Sequence, residues 1–221
     1  MEYPMTKKSL TLWFLLFLPV INIFAQDKNA SKPINDAKQI PVSYGILADN
    51  SGSFRTLLEM VIDTVKGLVE ENKPDDETFL VRFVDSDKIK LAQEFTDSKS
   101  DLQDAAEDMF IEGGATAITD AVDFSAKYLT EKAKSEPNRH KALILICDGD
   151  DRRSLAKLET VLMFLKNEKI RVYAIGVSDE KFSTKILDKL AKETGGKVYT
   201  PKNPAEIKTA VKELAVAMRA E

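Results

Sequence analysis

Three short segments of this 221-residue chain hold the side chains whose types and spacing could do chemistry. The first is Asp49-Asn50-Ser51-Gly52-Ser53, directly after an apolar run. The second is Gly113-Gly114-Ala115-Thr116, leading into a helical pattern that starts at Ala117. The third is Asp148-Gly149-Asp150-Asp151, again after an apolar run. All three offer oxygen: carboxylates and hydroxyls. With one His and one Cys in the whole chain, no HExxH-type pair and no cysteine cluster for zinc can form. Each segment alone has an ordinary explanation. Asp49 or Asp148 suits a turn that bonds its own backbone, and Ser53 or Thr116 suits a helix N-cap.

The elements that position these segments follow from hydrophobic patterning. Strands are expected at Val42–Ala48, Thr78–Val84, Ala142–Cys147 and Ile170–Val177, with a more polar edge strand at Ile89–Phe95 and a short one at Lys197–Thr200. Leu143-Ile144-Leu145-Ile146 and Val172-Tyr173-Ala174-Ile175 are continuous apolar runs, as parallel strands covered on both faces require. Helical stripes run through Leu58, Val61, Ile62, Val65, Leu68 and Val69, through Leu155, Leu158, Leu162 and Leu165, and through Ile207, Val211, Leu214 and Met218. Asn203 is placed to cap the last helix with Pro204 at its first position, and Gly195-Gly196 stops the helix before it. Alternating strands and helices imply an α/β fold, a doubly wound and mostly parallel sheet flanked by helices. In such sheets ligands bind beyond the carboxyl ends of strands where the winding reverses, which is where all three oxygen-rich segments fall.

Taken together and in this order, Asp49-x-Ser51-x-Ser53, Thr116 and Asp148 resemble the metal-ion-dependent adhesion site of von Willebrand factor A domains, in their secreted, single-domain bacterial branch. GGATAITDA around Thr116, LILICDGDD around Asp148, then YAIGV and ETGGKVY agree with that pattern. The resemblance spans roughly Ile40 to Glu221 and implies the Rossmann-like fold of that family. It also implies a metal site of Asp49, Ser51, Ser53, Thr116 and Asp148, the hydroxyls touching the metal and the carboxylates acting directly or through water. Two carboxylates and three hydroxyls suit Mg²⁺ or Mn²⁺ rather than Zn²⁺. With few anions around it, the ion keeps an open position that an acidic side chain of a protein ligand can complete. The implied function is cation-dependent protein binding and not catalysis. A metal-free interaction scaffold is one alternative. The other is a Mg-dependent phosphatase using Asp148 and Asp150, since Asp148-x-Asp150 after an apolar strand also looks like the opening motif of haloacid-dehalogenase-type phosphatases, in which one Asp attacks phosphate and the next is acid/base; here, however, Asp151 follows, and Asp49-Asn50-Ser51 is left unexplained. Phe54 and Cys147 depart from the family pattern, where Met and Thr are common, but neither is a ligand there.

Composition bounds the rest. Hydrophobic residues are 43% and charged residues 31%, as in ordinary globular chains. A net charge of -4 removes the footprint expected of a nucleic-acid binder. Residues 1–25, with Lys7, Lys8, an apolar run from Leu10 to Phe24 and Ala25, have the layout of a signal peptide cut after Ala25. That predicts a secreted or periplasmic protein with no membrane span after cleavage. Residues 26–39 read as a polar linker containing Pro33, with Asn29-Ala30-Ser31 a glycosylation acceptor only in a eukaryotic pathway, and residues 40–221 as the domain. Cys147 is expected to be a buried small hydrophobe, and His140 a surface residue at the far end of the sheet. Asp150, Asp151, Arg152 and Arg153 read either as a solvated charged loop or as a rim that tunes which acid approaches.

Overall fold

The computed structural model describes Met1, residues 40–178 and residues 183–220. The expected signal peptide, the linker and its glycosylation acceptor lie outside the described residues. Strand β1 (Val42–Asp49) leads through a 3-10 turn (Gly52–Phe54) into helix α1 (Leu58–Glu70) and strand β2 (Glu77–Phe83). Strand β3 (Ile89–Thr96) and helices α2 (Lys99–Glu107) and α3 (Ile118–Lys132) follow. Then come β4 (His140–Cys147), α4 (Leu158–Asn167), β5 (Ile170–Gly176), α5 (Lys185–Thr194), β6 (Val198–Tyr199) and α6 (Pro204–Ala217).

The strand order is β3-β2-β1-β4-β5-β6, parallel throughout except for β3, which runs antiparallel to β2 at the edge. Side chains alternate across the sheet, so β1 sends Tyr44, Ile46 and Ala48 to one face and Leu47 to the other. The first face is covered by α1, α2 and α6 through Val61, Val65, Leu102, Val211 and Leu214. The second is covered by α3, α4 and α5 through Val122, Leu129, Val161, Leu165, Leu187 and Leu190. Burial of both faces is why β1, β4 and β5 read as unbroken apolar runs. The chain winds outward from β1 to β2 and β3, then returns to lay β4 against the other side of β1. The winding therefore reverses between β1 and β4, and the crevice at their carboxyl ends is the natural ligand position.

One expectation is corrected, and one helix escapes the sequence pattern. Leu155 does not belong to the α4 stripe: α4 begins at Leu158, and Leu155 is 84% exposed in the loop before it. Helix α2 was not legible, because only Leu102 and Ala106 of its nine residues are buried, too narrow a stripe to stand out. Its start is nonetheless well formed, with the Ser98 hydroxyl accepting the Asp101 amide. At the other end of the chain, Asn203 accepts the Glu206 amide and Pro204 opens α6, as the sequence predicts.

Gly45 of β1 is fixed by packing. A Cβ there would lie 2.2 Å from the ring of Phe79, which is itself wedged edge-on between Phe95 and Tyr128 at 4.8 and 4.9 Å. Gly45→Ala is expected to lower unfolding free energy in urea by about 1–3 kcal/mol, the usual cost of forcing atoms into a packed core. An unchanged urea midpoint would show that the aromatic cluster can yield.

Candidate metal site

Asp49 is the last residue of β1 and is fully buried. Its Oδ1 accepts the Ser51 amide at 2.8 Å, the short-range turn its residue type favours, while its Oδ2 is buried with no hydrogen-bond partner. Burial pushes the Asp49 carboxyl up to about 7; the Asp148 charge raises it further, and the neighbouring Ser51 amide and the Ser51 and Thr116 hydroxyls offset this only in part. The turn that follows is held by Phe54, which is buried in the core and accepts the Leu57 amide.

Beside Asp49 the hydroxyls form a continuous chain that ends on Asp148. Thr116 Oγ1 donates to Ser51 Oγ at 3.3 Å, Ser51 Oγ lies 3.0 Å from Ser53 Oγ, and Ser53 Oγ donates to Asp148 Oδ2 at 3.0 Å. All five residues singled out in the sequence thus converge. Asp49, Ser51 and Thr116 form the buried floor, while Ser53 is exposed and Asp148 half-buried at the mouth.

Each contributing loop is tied in place. Asn50 is fully buried: its amide donates to the Phe83 carbonyl, its carbonyl accepts the Glu112 amide, and its side chain donates to the Phe110 carbonyl at 2.9 Å. It stitches the 110–116 segment to β1, a positioning role that sequence reasoning missed; its only signal is an amide side chain between two ligand-type residues. Gly114 sits at φ 137°, and a Cβ there would meet Val84 at 2.6 Å. Gly149 sits at φ 78°, and a Cβ there would fall 2.3 Å from the Ser183 carbonyl oxygen. The loop after β4 is anchored to the segment that leads into α3: the Arg152 and Arg153 amides donate to the Thr116 carbonyl at 2.8 and 3.2 Å.

The charged run behind Asp148 separates into two roles. Asp150 forms an exposed ion pair with Arg152. Asp151, by contrast, turns inward and accepts both the amide and the hydroxyl of Thr119 at 3.2 and 2.5 Å, so it caps the first turn of α3. The geometry joins Asp148 to the serines, whereas the Asp150 carboxylate is taken by Arg152. Cys147 is fully buried, and burial raises its thiol well above the ordinary range, so it is inert. His140 begins β4 at the opposite end, where its Nδ1 lies 2.9 Å from the Met218 carbonyl oxygen.

Such a site offers hard oxygen donors and little else. Among the described residues there is no cluster of three His, Cys, Asp or Glu side chains placed for a metal. An ion here would have to be one that accepts hydroxyl and water oxygens. The donor set fits one: a cation would give the orphaned Asp49 Oδ2 a partner and favour the charged form of a carboxyl that burial otherwise discourages.

A family model described as the von Willebrand factor type A domain matches residues 45–213. Vitrin from Homo sapiens is 29% identical over 128 residues, which cover 58% of this chain and 18% of vitrin. The collagen alpha-6(VI) chain from Homo sapiens is 29% identical over 144 residues, 63% of this chain and 6% of the collagen. The chain therefore spans under a fifth of the length of these curated relatives. A solved von Willebrand factor type A structure from Catenulispora acidiphila superposes with a TM-score of 0.69 at 19% identity, covering 80% of this chain and 43% of that one. The conserved hypothetical protein BatB from Bacteroides thetaiotaomicron gives 0.65 at 16% identity, covering 81% of this chain and all of that one. At those identities the structures establish likeness of fold.

The raised carboxyl yields a signed expectation for metal-free protein. The ordinary Asp value is 3.8 and the folded value about 7, so the folded state holds the Asp49 proton more tightly. That contribution to stability is present in acid and is lost as pH rises from about 4 to 7. Asp49→Asn cannot ionise, so in EDTA the wild type should lose stability relative to the variant across that window. Each pH unit by which burial raises the carboxyl is worth about 1.4 kcal/mol of the gap. Paired urea titrations at pH 4.5 and pH 8 measure it, and a gap independent of pH would mean that Asp49 is not held protonated.

Proposed function

Since the chain belongs to the von Willebrand factor type A domain family, we propose that it is a divalent-cation-dependent protein-binding module whose ion is held by Asp49, Ser51, Ser53, Thr116 and Asp148. The observation that carries this reading is the buried, unpartnered Asp49 Oδ2 beneath a chain of three hydroxyls, at the reversal point of the sheet. Mg²⁺ or Mn²⁺ matches that donor set. When bound, the ion supplies a Lewis-acidic position for an oxygen of the partner.

The protein's own residues do the rest. Asp49 and Asp148 provide the negative charge that attracts the ion, and the three neutral hydroxyls add oxygen donors without adding charge. Ser53 and Asp148 lie at the accessible side, so a carboxylate on a partner protein approaches there, while Asp49, Ser51 and Thr116 stay below it. In this reading the serine hydroxyls and Asp148 serve as oxygen donors to the ion, and the chemistry of the cluster is docking. Export of the protein is part of this reading, supported by the layout of residues 1–25. Among the described residues no helix is long and apolar enough to cross a membrane.

Two measurements test the reading. Mg²⁺ or Mn²⁺ at about 100 times its Kd should stabilise the wild type by roughly 2.7 kcal/mol, which for a domain of this size raises Tm by about 5–10 °C. Asp49→Asn should abolish that shift while remaining folded. In addition, displayed random peptides selected in Mg²⁺ and eluted with EDTA should be enriched in Asp and Glu, and replacing the acid by its amide should remove binding. Peptides that survive EDTA, or that lack acids, would point to a metal-free scaffold.

A further inference from the structure

The loop after Asp150 is held more firmly than a connector needs. In addition to the Arg152 and Arg153 amides on the Thr116 carbonyl and Asp151 on Thr119, the Ser154 hydroxyl accepts the Asp120 amide at 3.2 Å. The Asp120 carboxylate in turn accepts the Leu155 amide at 2.9 Å and the Ala156 amide at 2.7 Å. Backbone groups from 152 to 156 are thereby pinned to the first turn of α3, directly behind Thr116. Two side chains on this pinned loop are spent on nothing inside the protein. Leu155 is 84% exposed. Arg153 is exposed and has no carboxylate partner among the described residues, whereas its neighbour Arg152 is neutralised by Asp150.

A single exposed leucine or arginine means little by itself. Here both stand on one pinned backbone, in a chain of net charge -4, on a loop whose 152 and 153 amides bond the carbonyl of Thr116 in the oxygen cluster. A rigid platform binds with little ordering cost, an exposed apolar side chain at its centre is an anchor, and an unpaired guanidinium is built to take a carboxylate in a forked pair. We propose that the 151–156 loop determines specificity: Arg153 takes a second carboxylate of the partner, and Leu155 an apolar side chain next to it. This rests on the reading of the neighbouring oxygen cluster as the place where the partner's first carboxylate docks. The partner is thus a protein segment with two acids and an apolar residue within a few positions, and not one with an isolated acid.

The test uses fluorescein-labelled peptides on a Gly/Ser background: one glutamate alone, two glutamates at varied spacing, and two glutamates with a leucine. Binding is read by polarisation in Mg²⁺ against wild type, R153E and L155S. The best two-glutamate, one-leucine peptide is expected to bind wild type at least about 10-fold tighter than the single-glutamate peptide. R153E should lose the gain from the second glutamate and prefer a lysine at that position, and L155S should lose only the gain from leucine. Both variants should keep a Mg²⁺-induced Tm shift, since neither side chain bonds the oxygen cluster and residue 153 reaches Thr116 only through its backbone amide. The same peptide ranking in all three proteins overturns the assignment, as does absence of binding by every peptide while wild type shows its Tm shift. Absence of the Tm shift in wild type refutes the metal reading instead, and this proposal falls with it.

Discussion

A carboxylate buried at the end of the central strand, with one oxygen left without a partner, is the constraint on which the rest of this structure depends. An unpartnered buried oxygen costs free energy on the order of 1–3 kcal/mol, and Asp49 carries that cost in a fully buried position. Nearby features hold it there. Asn50 bonds two segments, the end of β2 and residues 110–112, to the strand end, Phe54 plugs the following turn into the core, and Gly114 and Gly149 let two loops come closer than any side chain would permit. These restraints hold in place a buried oxygen whose burial lowers the stability of the fold. Residues that break the local rules in this way are expected where function is located.

The sheet explains why the restraint falls at this point. Reversal of the winding between β1 and β4 opens a crevice at their carboxyl ends, and the helix α3 that returns the chain to β4 starts beside it. Three loops distant in sequence therefore meet: Ser53 and Asp148 are 95 residues apart and hydrogen-bonded. The core on either face is built of interleaved Val, Leu, Ile and Phe side chains, so the loops rest on a stiff support. The opposite end of the sheet carries a different network, with Asp76 bound to Arg219 and His140 to the Met218 carbonyl, and it ties down the last helix.

Much of this was legible in the sequence because parallel strands covered on both faces must be apolar throughout, and because ligands collect at their carboxyl ends. Leu143 to Ile146 and Val172 to Ile175 identified β4 and β5, and the polar residues just beyond the strands located the candidate site. What escaped had physical reasons. Leu155 sits at helical spacing from Leu158 and Leu162, yet α4 begins at Leu158 and Leu155 stands in the loop before it, which bonds through its 155 and 156 amides to Asp120, a contact from a distant part of the chain that no local spacing contains. Asp151 looked like part of a solvated charge run, but its carboxylate caps α3 through a contact 32 residues away that no local pattern contains. Asn50 was hidden by its neighbours: only the fold shows that its side chain reaches Phe110, 60 residues on.

The central claim is that these five oxygens hold a hard cation, and anomalous diffraction tests it most directly. Crystals of residues 40–221 grown in Mn²⁺ and measured at the manganese edge should show a peak enclosed by Asp49, Ser51, Ser53, Thr116 and Asp148, with oxygen at about 2.0–2.3 Å from the ion directly or through water. An ordered, folded domain in Mn²⁺ with no peak at that position would contradict the account.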